Sequence, residues 1–351
     1  MPQPERHTSG HRSAPGVLDI IAGGTTTAVG SLPHRDASVA AEFALRELEL
    51  ATVPSLPRRS PAESMIAQAV VGTPGVTLGQ YGSIAVDVAR LDRDDDVLTD
   101  VDGDSFVGLR TFLRRAADAG RAGAPVKWQF VGPVTLGVAL TRAGAPTELA
   151  FEVASRSVRA HVQRLAAVVD EMLPGSPQLV VLDEPWLGEL MSDEFPIAPD
   201  TAVDLLSGAL ATLEPLATTG VHCCATTDYA SIIAAGPRVL SIPATRDVIA
   251  SAGYVQRFLE GGGWVAWGAV ATDGPIGVTA GRAWHQLSGL WCELVQQGVD
   301  PVALRRQSLI TTHCGLGMHS PAVAERLCRM VRDVARRVRD QATAARFVLG
   351  A

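Results

Sequence analysis

Leu179-Val180-Val181-Leu182-Asp183-Glu184-Pro185 sets four large aliphatic residues in an unbroken row and ends them on two acids and a proline. A row of this kind is how a strand reads when both of its faces are covered, as in a parallel sheet wrapped by helices. Its polar ending falls at the carboxyl end of the strand, where parallel α/β sheets gather their chemistry.

Working outward, the same unit recurs. Strands are expected at Thr25 to Val29, Gly82 to Val86, Val126 to Val131, Leu179 to Leu182, Gly220 to Cys224, Val239 to Ile242, Trp264 to Ala269 and Ser308 to Thr312. Helical periodicity fills the intervals, as in Leu149 to Leu173 and Ala202 to Leu216, and Ser320-Pro321 supplies an N-cap and first-turn pair for a last helix. A length of 351 residues fits either two average domains or one large α/β barrel, so the strand count decides. Eight alternating units predict the α/β class and a single (β/α)8 TIM barrel over residues 19–351. A polar, aperiodic, disordered tail is expected over residues 1–18. The N-terminal half carries an insertion between the 30s and the 120s, and its DRDDDVLTDVDGD run at 92–104 reads as a solvated acidic loop rather than a metal site. No repeat of 20–50 residues is visible, which excludes a solenoid.

The unusual polar residues follow the expected strands: Gly30-Ser31, Gly132 to Thr135, Asp183-Glu184-Pro185, His222 with Cys224, Asp273 and Cys314. A barrel would bring them to one mouth. A formal charge of −7 with no run of Lys and Arg argues against a nucleic-acid partner or a polybasic membrane patch. No apolar stretch approaches a membrane span and no signal sequence is seen, so a cytoplasmic protein acting on a small molecule is expected. Five cysteines in such a chain point to reduced thiols or metal ligation before disulfides.

In Val221-His222-Cys223-Cys224 the strand period of two puts His222 and Cys224 on one face and Cys223 on the other. Alone, an H-x-C pair is a weak signal. Cys314, at the end of the eighth strand and before the flexible Gly315-Leu316-Gly317 turn, adds a third donor. Zn2+ favours a Cys2His set, and three protein ligands leave one position open. A free thiol is mostly protonated at neutral pH, whereas zinc deprotonates it and leaves it nucleophilic. Asp183 reads either as a rim carboxylate that holds a substrate ammonium or, with Glu184, as a cap on the following helix.

TTTAVGSLP at 25–33, YGS at 81–83, GPVT at 132–135, LDEP at 182–185, HCC at 222–224 and HCGLG at 313–317 resemble, in order, motifs of the catalytic barrel of the cobalamin-independent methionine synthase family. The resemblance runs over residues 25 to 340. It implies a zinc-dependent S-methyltransferase acting on homocysteine or a related thiol to form methionine, with a folate or a corrinoid protein as methyl donor. It places His222, Cys224 and Cys314 as metal ligands, Asp183 on the homocysteine ammonium, and Gly30 and Ser31 on its carboxylate. Two positions depart from the family. Pro243 stands where a zinc-ligating glutamate belongs, and Asp273 aligns with the histidine proposed as catalytic acid. These departures keep open a degenerate or re-purposed paralogue, within the superfamily that includes uroporphyrinogen decarboxylase and the corrinoid methyltransferases, that binds a metabolite without turnover.

Overall fold

The computed structural model describes residues 16–273 and 279–348, and side chains as far as residue 341. Its strands are β1 (Thr25–Thr26), β2 (Ala51–Thr52), β3 (Val76–Leu78), β4 (Ile84–Val86), β5 (Val126–Val131), β6 (Gln178–Asp183), β7 (Thr218–His222), β8 (Val239–Pro243), β9 (Trp264–Val270) and β10 (Ser308–Thr312). Eight of them form one sheet in the order β1-β10-β9-β8-β7-β6-β5-β2, with every neighbouring pair parallel. The sheet curls until its edges meet. A parallel bridge joins Ser31 to Ser55, Leu50 N donates to Thr26 O at 3.0 Å, and Leu32 N donates to Ser55 O at 2.9 Å. This is an α/β fold of TIM-like type, with helices between successive strands.

The continuous apolar runs are explained by two layers of burial. Val17, Leu50, Leu179, Val181, Val239, Trp264, Ala266 and Leu309 pack together on the concave side of the sheet. The alternate residues, among them Val180, Leu182, Val221, Leu240 and Val265, face the helices in the larger cluster. Each fully buried aliphatic side chain of this kind stabilises the fold by about 1.5–3 kcal/mol relative to exposure. The helices follow the expected pattern, at Thr147–Met172, Pro199–Leu213 and Pro321–Val348. Ser320 caps the last of these, its Oγ accepting from Val323 N at 3.4 Å.

The second strand is a correction. Residues 84–86 do not enter the main sheet; β4 pairs antiparallel with β3 in a separate hairpin, closed by Gly79 N donating to Ser83 O at 2.7 Å. Its place is taken by β2, only two residues long and followed by Val53-Pro54-Ser55-Leu56-Pro57, which is too short to announce itself by periodicity. The expected tail falls largely on residues 1–15, outside the described residues. Val17 and Leu18 belong to the folded body instead: Val17–Ile20 is a helical turn, with Val17 fully buried beneath the sheet. The acidic side chains of 92–104 are solvated for the most part, and they form no convergent set of three donors among the described residues.

Candidate metal centre

His222 is the last residue of β7 and is paired in register with Asp183 at the end of β6 and with Ser241 on β8. The strand stops there, so Cys224 sits two residues beyond it in the loop rather than on the strand itself. Cys223 points away into the helix-facing core, where burial pushes its thiol up to about 11. On the other side of the mouth, the β9–β10 register shifts between Thr311 and Thr312. Such an irregularity re-aims the chain that follows. Thr312 Oγ1 then donates to Cys314 O at 2.8 Å and fixes the turn that carries Cys314.

The result is a convergence of donors. One ligand atom each from His222, Cys224 and Cys314 lies within 4.8 Å of the others. Around a tetrahedral ion with bonds of about 2.0–2.3 Å the donors stand roughly 3.5 Å apart, so little adjustment is needed. His222 is 4% exposed; its Nδ1 lies 3.0 Å from Ser241 Oγ, while its buried Nε2 has no hydrogen-bond partner of good geometry. A buried nitrogen left without a partner beside two thiols is what a metal ligand looks like without its ion, with Ser241 as the outer partner that fixes the ring. The thiols are already polarised. Contacts with Cys224 and then His222 hold the Cys314 thiol well below its ordinary range, and Cys224 is raised as the proton-bearing partner. A soft Cys2His set of this geometry fits zinc.

Other expected residues fall around this cluster. Asp183 is partly exposed at the mouth, but its Oδ1 is sealed and without a partner. Burial pushes its carboxyl up to about 6, against the charges of His222 and Lys127. Gly30 and Ser31 lie against the Cys314 loop: Gly317 N donates to Ser31 Oγ at 3.2 Å and Leu316 N to Ser31 O at 2.8 Å. Asp273 is exposed on the loop after β9, outside the donor cluster, and its charge acts on His313, whose imidazole is lowered by burial. Pro243 ends β8, two residues beyond Ser241 and on the same face, and offers no donor. A cleft of about 590 Å³ opens beside His313, between the ends of β8 and β9 and the helix Ala280–Gln296, with Arg246, His285 and Glu293 on its walls.

Glu184 is a cap, though not of the following helix. It is fully buried and accepts from Val134 N at 2.9 Å and Thr135 N at 2.6 Å, closing the N-terminus of the helix Pro133–Arg142 that follows β5. The site contains three further residues that sequence reading did not single out: Ser241, Lys127 and Gln129. The last two had a legible signal, since polar residues at alternate positions of the apolar run Val126 to Val131 share one strand face.

The fold and the donor set together define a parallel α/β protein of TIM-like type with a thiol-imidazole centre at the carboxyl ends of its strands. No family model matches the chain, and no curated protein matches it in sequence. Among solved structures it is similar to a B12-independent methionine synthase from Shewanella sp. W3-18-1 in complex with selenomethionine, at 15% identity and a TM-score of 0.58. The likeness covers 92% of this chain and 100% of that one, and at this identity it speaks for the fold.

Proposed function

We propose that this chain is a zinc-dependent S-methyltransferase, a single closed (β/α)8 barrel that methylates homocysteine or a closely related amino thiol. One observation carries the reading: His222, Cys224 and Cys314, from opposite sides of the mouth, bring three soft donors within 4.8 Å while His222 Nε2 is left buried without a partner. Among the described residues that set has no structural duty that would otherwise explain it. When bound, zinc supplies the positive charge that keeps a thiol deprotonated at neutral pH.

The chain's own residues then divide the work. Asp183, partly exposed at the mouth, holds the substrate ammonium, and the Gly30–Ser31 turn on the opposite side receives the carboxylate. The substrate sulfur, having lost its proton, attacks the methyl carbon. The carbon–sulfur bond forms as the bond to the donor breaks, and its electron pair leaves on the donor. The cleft beside His313 admits the donor, a folate or a corrinoid, and Asp273, exposed on the loop after β9 and acting by its charge on His313, returns a proton to a departing group that needs one.

The test joins metal content to turnover. Wild-type protein, prepared reduced and without chelator, is expected to carry about one zinc per chain, and Cys224→Ser and Cys314→Ser to carry almost none. Methionine formation from homocysteine with methyltetrahydrofolate or methylcobalamin should vanish in the same variants. Absence of stoichiometric zinc in wild type would overturn the metal site. Zinc and homocysteine binding with no methyl transfer from either donor would favour the paralogue that binds without turnover, the outcome to which Pro243 and Asp273 lend weight.

A further inference from the structure

A lysine within an otherwise apolar strand is the feature least explained by the metal centre. Lys127 lies on β5, is 3% exposed, and is paired in register with Thr52, so its side chain enters the concave side of the sheet below the mouth. Its ammonium donates to Val29 O and, at 3.2 Å, to Gln129 Oε1. Gln129, one layer higher on the same face, donates from Nε2 to Val53 O at 3.2 Å. The two side chains therefore tie β5 to the backbone that follows β1 and to the backbone that follows β2. No other barrel strand sends a cation into this space among the described residues.

What they tie down is the turn at Gly30–Ser31. Val29, held by Lys127, precedes it directly. Gly30 has φ +147°, and a Cβ there would stand 2.0 Å from the Gln129 amide carbon, so the turn rests on the Gln129 side chain with no room between. Ser31 continues into the bridge with Ser55 and accepts from Gly317 in the loop that carries Cys314. A buried ammonium costs several kcal/mol in desolvation and persists only where its hydrogen bonds and charge are used. Burial pulls Lys127 down to about 8, with the Asp183 charge opposing.

We infer that Lys127 and Gln129 are positioning residues that set the Gly30–Ser31 turn as a carboxylate seat and so make the site select thiols that carry a carboxylate. The inference rests on the homocysteine reading above and adds to it the residues that fix one pole of the ligand. Neither side chain touches the donor cluster, so their loss acts on the ligand and leaves the metal in place.

The experiment measures binding of three thiols to the zinc-loaded full-length chain by calorimetry. These are homocysteine, 4-mercaptobutyrate, which lacks the ammonium, and 3-mercaptopropylamine, which lacks the carboxylate. Lys127→Met and Gln129→Leu are each expected to weaken homocysteine and 4-mercaptobutyrate by about 10- to 100-fold. Gln129→Leu, which keeps the cation that faces Asp183, should hold 3-mercaptopropylamine within about threefold, and both variants should keep the wild-type zinc content. Should Lys127→Met fail to fold, Gln129→Leu, which retains the cation, decides the matter alone. Equal weakening of all three thiols, or no change in any, overturns the inference. Failure of the wild type to bind homocysteine overturns the functional reading and this inference with it, whereas wild-type binding with indifferent variants overturns this inference only.

Discussion

Asp183→Asn separates a functional carboxylate from a structural one, because the two roles give opposite signs in two measurements. On the proposed reading the carboxylate makes a charge-assisted hydrogen bond to a substrate ammonium, and its loss costs about 1.5–3 kcal/mol, or roughly 10- to 150-fold in Kd. A thiol without the ammonium should lose almost nothing. Stability moves the other way. The folded-state pKa is raised from 3.8 to about 6, so protonation favours the folded state. The native carboxyl therefore lends stability that is fully present below its unfolded value and is lost as pH rises through about 6. At pH 7 the ionised group strains the metal-free protein by about 3 kcal/mol if fully buried; partial exposure at the mouth reduces this to about 1–2 kcal/mol. Neutral Asn removes that cost. Metal-free Asp183→Asn should melt a few degrees above wild type at pH 7–8, with the gap closing below about pH 4. Calorimetric titration with homocysteine and 4-mercaptobutyrate, together with melting curves at several pH values, checks both halves. A variant that melts lower at pH 7 and binds both thiols equally poorly would show Asp183 to be part of the scaffold and refute the reasoning.

Pro243→Glu restores a carboxylate on the face of β8 that already carries Ser241, and zinc loss to a competing chelator is expected to slow by about tenfold or more; an unchanged rate would mean that the side chain does not reach the metal. Glu184→Gln replaces a carboxylate accepting two backbone N–H groups with an amide that accepts through one oxygen only. It should cost about 1–2 kcal/mol, a fall of about 1.5–3 °C in Tm for a chain of this size, with wild-type zinc content retained. A melting point at or above the wild-type value would remove the cap from the account of that helix.

Long apolar strands were legible because burial on both faces leaves a run with no polar interruption. Gln178–Asp183 and Trp264–Val270 are of this kind, and their polar endings marked the mouth. The short strands at the sheet edges were not. Ala51–Thr52 owes its place to backbone partners on Val126 and Lys127, far away in sequence, while the apolar run Ile84-Ala85-Val86 found a nearer partner in Val76–Leu78. Local pattern favours the hairpin, and tertiary pairing alone reveals the barrel strand. The donor triad was visible through strand alternation at His222 and Cys224, and it needed Cys314 from 90 residues further on to become specific. Ser241 gave no signal, because a serine on a buried strand declares its role only when its cross-strand neighbour is known to be His222.

The departure at Pro243 acquires a physical meaning when Asp183 is considered with it. Two thiolates and a neutral imidazole carry two negative charges, which a divalent cation balances. A carboxylate at 243 would leave one negative charge in excess at the mouth, beside Asp183, whose carboxyl is already raised by burial and raised further by the charge of Cys314. Like charges close together in a poorly solvated site push one another toward protonation. Asp183 would then be neutral over more of the physiological range and hold an ammonium less well. With proline at 243 the centre is closer to neutral, and the cation that faces Asp183 from within the sheet, Lys127, is not outweighed. On the proposed reading, the missing ligand lowers metal retention while sparing the charge on Asp183. The same argument predicts that Pro243→Glu, if it tightens zinc, weakens homocysteine relative to 4-mercaptobutyrate, and a variant that tightened both would break the electrostatic link drawn between the two residues.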